Sequence, residues 1–282
     1  MDYRLTIRKE DEGNDLFDGY KEAKVEEKFS IEIINSSNIE KAIKEYEFFI
    51  KEVEFSLYKN KLKGLDYLLN KPTNVLTPSE IFSFTQIYDD FVTSDFKVIT
   101  YFVKNLIKSS YDAGHNNFKL NTGVFPNTQS LFSSLEGNKK NPIKITINGN
   151  VGDHLFQNSS YINCTINGDC DHNLGIYSRN NEFIINGSVK SKAFRFSKNS
   201  TIILDNFEDI GGSQFLEYLW NSKIIVRDKE AIDQIVNTLR NQERLFTSLS
   251  YFNGLFYQGY NTLSLLDEKG EENIIKRFKR RR

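Results

Sequence analysis

Two short runs hold the side chains best suited to chemistry, Gly152-Asp153-His154 and Cys170-Asp171-His172. Each sets a carboxylate beside an imidazole, and the second adds a thiol. These are ligand types of zinc and other transition metals. Asp153, Asp169 and Asp171 also supply carboxylates of the kind that, paired across a groove, hydrolyse glycosidic bonds. Either chemistry depends on convergence: a metal needs ligands aimed at one point, and a glycosidase needs two carboxylates flanking one bond.

The segment that must position these residues is a repeat. KITINGNVGDHL from Lys144, NCTINGDCDHNL from Asn163 and EFIINGSVKSKA from Glu182 align, with Asn-Gly pairs at 148–149, 167–168 and 186–187. A degenerate fourth copy, TIILDNFEDIGG, sets Asp205-Asn206 one period on, and Lys223-Ile224-Ile225-Val226 reads as a fifth strand. A fixed period near 19 residues marks a solenoid. Five columns repeat with it: Ile145, Cys164, Phe183 and Ile202; Ile147, Ile166, Ile185 and Leu204; Val151, Cys170 and Val189; Leu155, Leu174 and Ala193; and Tyr177, Phe196 and Phe215. One coil cannot bury its own inner face, but stacked coils can. Asn-Gly suits a tight corner because both residues tolerate positive φ. Asn148, Asn167 and Asn186 are then placed to bond along the stack as an amide ladder. Antiparallel hairpins turning at Asn-Gly are the competing interpretation, but hairpins do not require a constant period.

The same register weakens the chemical candidates. Position 154 aligns with 173, so His154 and His172 are one residue out of step and face differently. Cys164 and Cys170 share columns with Ile, Phe and Val, as small buried hydrophobes would. The Asp residues read as a solvated corner. Nucleophile-elbow, phosphate-loop and dinucleotide signatures are absent, Gly211-Gly212 reads as a loop, and His115 follows a helix end. No catalytic, cofactor-binding or metal-binding residue is therefore assigned, and no cofactor is expected.

The recurring x-I-x-I-N-G-x-V-G-x-x-L pattern resembles the GXGXG-type right-handed β-helix found in glutamate synthase, where it closes the large chain, and in one of the chains of formylmethanofuran dehydrogenase. The match covers about 143–226, with Gly149-Asn150-Val151-Gly152 as its Gly-x-x-Gly; later copies put Asp171 and Lys190 where the second Gly belongs. The resemblance implies a structural or docking module and carries over no active-site residue. Bactofilins and the C-terminal domain of the division inhibitor MinC look broadly similar.

The flanks read as follows. Tyr3, Leu5 and Ile7, and then Lys28 to Ile34, alternate like strands. Ser37-Asn38-Ile39-Glu40 and Thr77-Pro78-Ser79-Glu80 match capping boxes. Ile39, Ile43, Tyr46, Ile50, Val53 and Leu57 make the stripe of a first helix extending toward Leu69. Ile81, Phe84, Tyr88 and Phe91 mark a second helix, and Phe96 to Leu106 a third that stops near Gly114. After the repeat, Asp228 is an N-cap for a helix with Ala231, Ile232, Ile235, Val236 and Leu239, suited to cover the open end of the solenoid. Leu263, Leu265 and the run Asn273 to Phe278 flank Glu268-Lys269-Gly270 as a terminal hairpin. The expected fold is α+β: a helical N-terminal region packed with a short right-handed parallel β-helix of about 19-residue coils, capped by a C-terminal helix. The expected divisions are 1–120 mixed and mainly helical, 121–227 the β-helix, 228–275 the capping helix and hairpin, and 276–282 a basic tail.

Composition narrows the function classes. A chain that is 39% hydrophobic is not a disordered polyelectrolyte, and a net charge of −1 gives no global attraction to nucleic acid or acidic membrane. Two cysteines make no disulfide framework. The opening MDYRLTIRKEDEG holds no apolar run of export-signal length, and no stretch is long enough to span a bilayer, so the expected location is the cytoplasm. The charge is uneven, because KRFKRRR closes the chain. Lys276, Arg277, Lys279, Arg280, Arg281 and Arg282 form the candidate polyanion-binding set, with nucleic acid as its partner. The expected function is a non-enzymatic scaffold or protein-interaction module, its partner a second protein or another copy of the chain. The alternatives are a β-helix enzyme acting on polysaccharide and a nucleic-acid-associated protein binding through the tail.

Overall fold

The computed structural model describes residues 36–58, 71–87, 96–124, 129–207, 219–227, 260–266 and 272–279. The strands expected before Ile34, the extension of the first helix toward Leu69, the helix after Asp228 and the final arginines Arg280–Arg282 lie outside them.

The repeat forms a parallel β-solenoid. Among the described residues the first strand is β1 (Asn117–Asn121), followed by β2 (Ile143–Asn148), β3 (Ile162–Asn167), β4 (Glu182–Val189), β5 (Thr201–Phe207) and β6 (Lys223–Val226). They stack in chain order with β7 (Tyr260–Leu266), each parallel to the one before. Hairpins turning at Asn-Gly are thereby excluded, since β2 and β3 pair in parallel, Ile145 to Cys164 and Ile147 to Ile166. The sequence columns are the sheet register: Phe118, Ile145, Cys164, Phe183, Ile202 and Ile224 form one line, and Leu120, Ile147, Ile166, Ile185, Leu204 and Val226 the next. All of these side chains are buried. β1 is a coil that the period does not reveal. β8 (Glu272–Lys279) turns back antiparallel to β7 and is the last strand of the sheet, as the alternation around Glu268-Lys269-Gly270 requires.

Two narrower lines of parallel pairing complete each coil. Val151, Cys170 and Val189 bridge after the Asn-Gly corner, and Ser160, Arg179, Lys198 and Trp220 bridge on a third side. Between them every second residue has a left-handed φ. His154, Phe156 and Asn158 lie at 62°, 56° and 56°, and Asn173, Gly175 and Tyr177 at 64°, 61° and 57°. Such φ values cost a non-glycine residue roughly 1–2 kcal/mol each. Inter-coil hydrogen bonds offset the strain: the N–H of His154 donates forward to His172 O, that of Phe156 back to Leu131 O, and that of Asn158 forward to Ile176 O.

The corners meet the expected demand in part: Gly149 has a positive φ, at 107°. Asn148, Asn167 and Asn186 do not have positive φ. Close approach between coils is a second reason for glycine. A Cβ on Gly168 would lie 2.5 Å from Gly149 O, and one on Gly187 would lie 2.4 Å from Gly168 O.

Three α-helices precede the coils among the described residues: α1 (Ser37–Tyr58), α2 (Pro78–Ile87) and α3 (Phe96–Asp112). The α2 capping box is reciprocal, with Glu80 N–H donating to Thr77 Oγ1 at 3.3 Å and Thr77 N–H to Glu80 Oε2 at 2.9 Å. The α1 cap is displaced by one residue from the expected Ser37: Ile39 N–H donates to Ser36 Oγ at 3.3 Å. The reason is tertiary, because the Ser36 hydroxyl also donates to Glu80 Oε1 at 2.7 Å and so ties the two helix starts together. Tyr46, Phe49, Phe84 and Phe102 pack their rings at 5.1–6.3 Å between the three helices. Helix and coil residues belong to one continuous apolar core. At the junction, Tyr111 Oη donates to Asn141 O at 2.6 Å, and α3 ends before Gly114, whose φ is 104°.

Candidate functional site

The corner following each Asn-Gly gathers the sequence candidates. Asn150, Val151, Asp169, Asp171, Ser188 and Lys190 line a groove of about 260 Å³. Its polar side chains reach from each coil to the next. Asn150 Oδ1 accepts from Asp169 N–H and Asp169 Oδ1 from Ser188 N–H, both at 2.8 Å. Asp153 Oδ1 accepts from His172 N–H at 3.0 Å, and Lys190 Nζ donates to Asp171 Oδ1 at 2.6 Å. The three carboxylates are therefore latches between coils, each holding a backbone amide or an ammonium one period away.

The two histidines stand in separate columns, as the register dictates. His172 Nδ1 lies 2.8 Å from Ser191 Oγ, whereas His154 aligns with Asn173 and Lys192 as the first left-handed residue of its turn. Cys164 and Cys170 are free thiols buried in the core. Burial, reinforced by each thiol's acidic neighbours (Cys170 for Cys164, and Asp169 and Asp171 for Cys170), pushes both well above the usual thiol range. Such thiols are poor nucleophiles and poor metal ligands. Among the described residues no three His, Cys, Asp or Glu side chains come together to hold a metal ion.

The amide ladder is present. Asn167 Nδ2 donates to Asn148 Oδ1, and Asn186 Nδ2 to Asn167 Oδ1, both at 2.7 Å. Arg227 ends it by donating to Asn186 Oδ1 at 2.6 Å and Asp205 Oδ1 at 2.7 Å. A second ladder, which the sequence reasoning missed, joins Asn180, Asn199 and Asn221 at 3.1 and 2.8 Å. Its signal was the 19-residue spacing from Asn180 to Asn199, carried into left-handed residues, which lengthens to 22 at Asn221.

The fifth column belongs to the surface. Tyr177 is 50% exposed and stacks on Phe196, with centroids 4.8 Å apart and planes 11° apart, while Phe215 lies outside the described residues. Beside it run Arg179, Lys198 and Trp220, paired on the third side of the coil. Sequence reading overlooked this basic and aromatic line because Trp220 falls 22 residues after Lys198, out of period. Of the C-terminal cations, Lys276, Arg277 and Lys279 lie on β8, and Arg280, Arg281 and Arg282 lie outside the described residues.

The outward positions of the long sheet change character along the stack. Lys119, Thr146 and Thr165 occupy one line on β1–β3, and Ile184 and Ile203, both half-buried, and Ile225, buried, continue it on β4–β6. Among the described residues no helix is long and apolar enough to cross a membrane. No family model matches the chain, and no curated protein or solved structure matches it significantly.

Proposed function

We propose that the chain is a non-enzymatic scaffold or protein-interaction module, built on a right-handed β-helix of the GXGXG type and acting in the cytoplasm. The observation that carries this reading is the use made of the polar corner. Asp153, Asp169 and Asp171 are each spent on joining one coil to the next. A glycosidase needs one carboxyl as acid and the other placed to attack or to activate water, and side chains used as links between coils favour a structural role instead. Right-handedness is supported by the strong preference of parallel crossovers for that hand. The outward isoleucines Ile184 and Ile203 offer an apolar strip for a partner or a second copy, in the manner of interface centres.

The test is the assembly state of the purified chain alone and with proteins crosslinked to it in cells. Ile184→Lys with Ile203→Lys should release a stoichiometric partner or a second copy while leaving the melting temperature within a few degrees. Hydrolysis of an acidic polysaccharide, abolished by Asp169→Asn, would overturn the reading in favour of an enzyme. A second reading, polyanion binding through Lys276, Arg277, Lys279, Arg280, Arg281 and Arg282, is favoured by the position of β8 as the last strand of the sheet. Cations on a terminal strand also discourage edge-to-edge pairing, so deletion of the last three arginines separates the two roles.

A further inference from the structure

We propose that the side of the solenoid bearing Tyr177, Arg179, Arg195, Phe196, Lys198 and Trp220 binds single-stranded nucleic acid, with a base stacked on Tyr177. This goes beyond the scaffold reading and does not use the C-terminal cations.

On this side residues alternate outward and inward. Ser178 and Ser197 point into the stack and bond to each other at 2.7 Å, so their neighbours Tyr177 and Arg179, and Phe196 and Lys198, point out. Parallel register then sets like on like: ring on ring in one column, and Arg179, Lys198 and Trp220 in the next. The cations lie against the rings, the Arg195 guanidinium 5.2 Å from the Phe196 centroid and Lys198 Nζ 4.3 Å from the Trp220 ring.

The ring column stops abruptly. One coil earlier its position is held by Asn158, whose N–H bonds forward to Ile176 O. Tyr177 therefore has Phe196 on one face and a residue without a ring on the other, and it is 50% exposed. A planar base fits as the next ring of the stack. Every base has such a face, but a duplex hides it, so the geometry selects single strands. The charge agrees. Two exposed cations, Arg179 and Lys198, stand here with the half-buried Arg195 beside them, in a chain of net charge −1. Among the described residues, Glu136 meets Arg179 at 3.4 Å with both side chains more than half exposed. An ion pair so exposed is weak, so a phosphate can displace it.

The chain supplies its own reporter, because Trp220 is its single tryptophan. The full chain is titrated with oligothymidylate, oligouridylate, a DNA duplex and heparin while its tryptophan emission is followed at low and moderate salt. Both single strands should quench Trp220, and the duplex should bind more weakly. Tyr177→Asn, which copies the residue and left-handed φ of Asn158, should weaken single-strand binding roughly tenfold, the size of one lost stacking contact. Arg179→Gln with Lys198→Gln, both at exposed positions, should make the slope of log affinity against log salt shallower by about 1.4. A chain ending at Lys279 should bind as the full chain does. No binding of single strands at low salt overturns the proposal. So does heparin binding as tight as single-strand binding with Tyr177→Asn unchanged, which would mark an acidic-polysaccharide site, and so does loss of binding in the chain ending at Lys279.

Discussion

Phe183 stands where Gly175 has no side chain. In the turns, Phe132, Phe156, Gly175 and Phe194 hold equivalent positions, so the column lacks one ring at Gly175. In the long sheet the position of Phe183 belongs in neighbouring coils to Cys164 and Ile202, so that column has a ring too many. The two exceptions cancel. Phe183 packs 5.6 Å from Phe156 and 5.3 Å from Phe194, carrying the ring series through the gap. A Cβ on Gly175 would meet Phe194 Cδ1 at 2.8 Å and Phe183 Cε2 at 3.4 Å, at a φ of 61°.

The first prediction follows from that exchange of volume. Gly175→Ala adds overpacking to left-handed strain and should cost on the order of 3 kcal/mol. Gly175→Phe alone should be worse. Gly175→Phe with Phe183→Ile returns both columns to their usual pattern and should recover part of the loss. Denaturant unfolding of the wild type, Gly175→Phe, Phe183→Ile and the double variant gives the coupling between the sites, and strictly additive losses would mean that the two positions do not share space.

A second prediction separates the faces of the long sheet. Ile166 is fully buried, between Ile147 and Ile185, whereas Thr165 beside it points outward. Ile166→Asp must bury a carboxylate or hold it protonated, at a cost of several kcal/mol. Thr165→Asp should cost under about 1 kcal/mol, the usual scale of a surface change. Equal melting temperatures for the two variants would contradict the observed register.

The same residues show what was legible in the sequence. Ile147, Ile166 and Ile185 recur at a strict period, so the coil, the strand faces and the amide ladder could all be read from spacing. β1 could not. Leu120 pairs with Ile147 at a separation of 27 residues, and Asn121 is followed by Thr122 before Gly123, so both the period and the Asn-Gly signature fail there. The polar corner was legible as a cluster but not as latches, because bonding between coils depends on which oxygen meets which amide. The ladder through Asn180 and Asn199 was hidden in turns whose left-handed backbone has no composition signal beyond scattered Asn and Gly. Hydrophobic columns led to the expectation that Tyr177 and Phe196 would behave like the other four, and their exposure reflects the inward Ser178 and Ser197, which fill the core on that side.

The third prediction concerns Glu80, which is buried where α1 and α2 begin. Burial alone would raise its carboxyl, but hydrogen bonds from Ser36, from the Thr77 N–H and hydroxyl and from Asn38 outweigh it and hold the group below the usual 4.5. A carboxyl with a lowered folded pKa stabilises the fold above its unfolded pKa, and that stability disappears as pH falls through the folded value. Glu80→Gln should lower stability at pH 7 by about 1–3 kcal/mol, the cost of disrupting charged hydrogen bonds. The gap between wild type and variant should close on acidification below the unfolded pKa. A gap that stays constant down to acid unfolding would show that the charge on Glu80 is immaterial.

Lys104 also has a lowered pKa, but because folding disfavours its charged form rather than favouring it. It lies on α3, buried, with its ammonium 5.7 Å from the Tyr101 ring. Burial lowers its pKa from 10.5 to about 8. Below the folded value both folded and unfolded chains carry the proton, and the fold bears the whole penalty of a desolvated ammonium. Between the two values the unfolded chain holds a proton that the folded chain has released, so stability rises with pH across that interval. Contact with an aromatic face offsets part of the penalty without removing it. Lys104→Met keeps the length of the stem and removes the charge, so it should raise the melting temperature at pH 7 by several degrees. The advantage should shrink as pH climbs from 8 toward 10.5 and the wild-type amine becomes neutral. Melting curves of both proteins across that interval decide the point: a wild type whose stability is flat there, together with a variant that melts lower at pH 7, would mean that Lys104 sits in the core as a satisfied cation and that its stem and charge both support the helix packing.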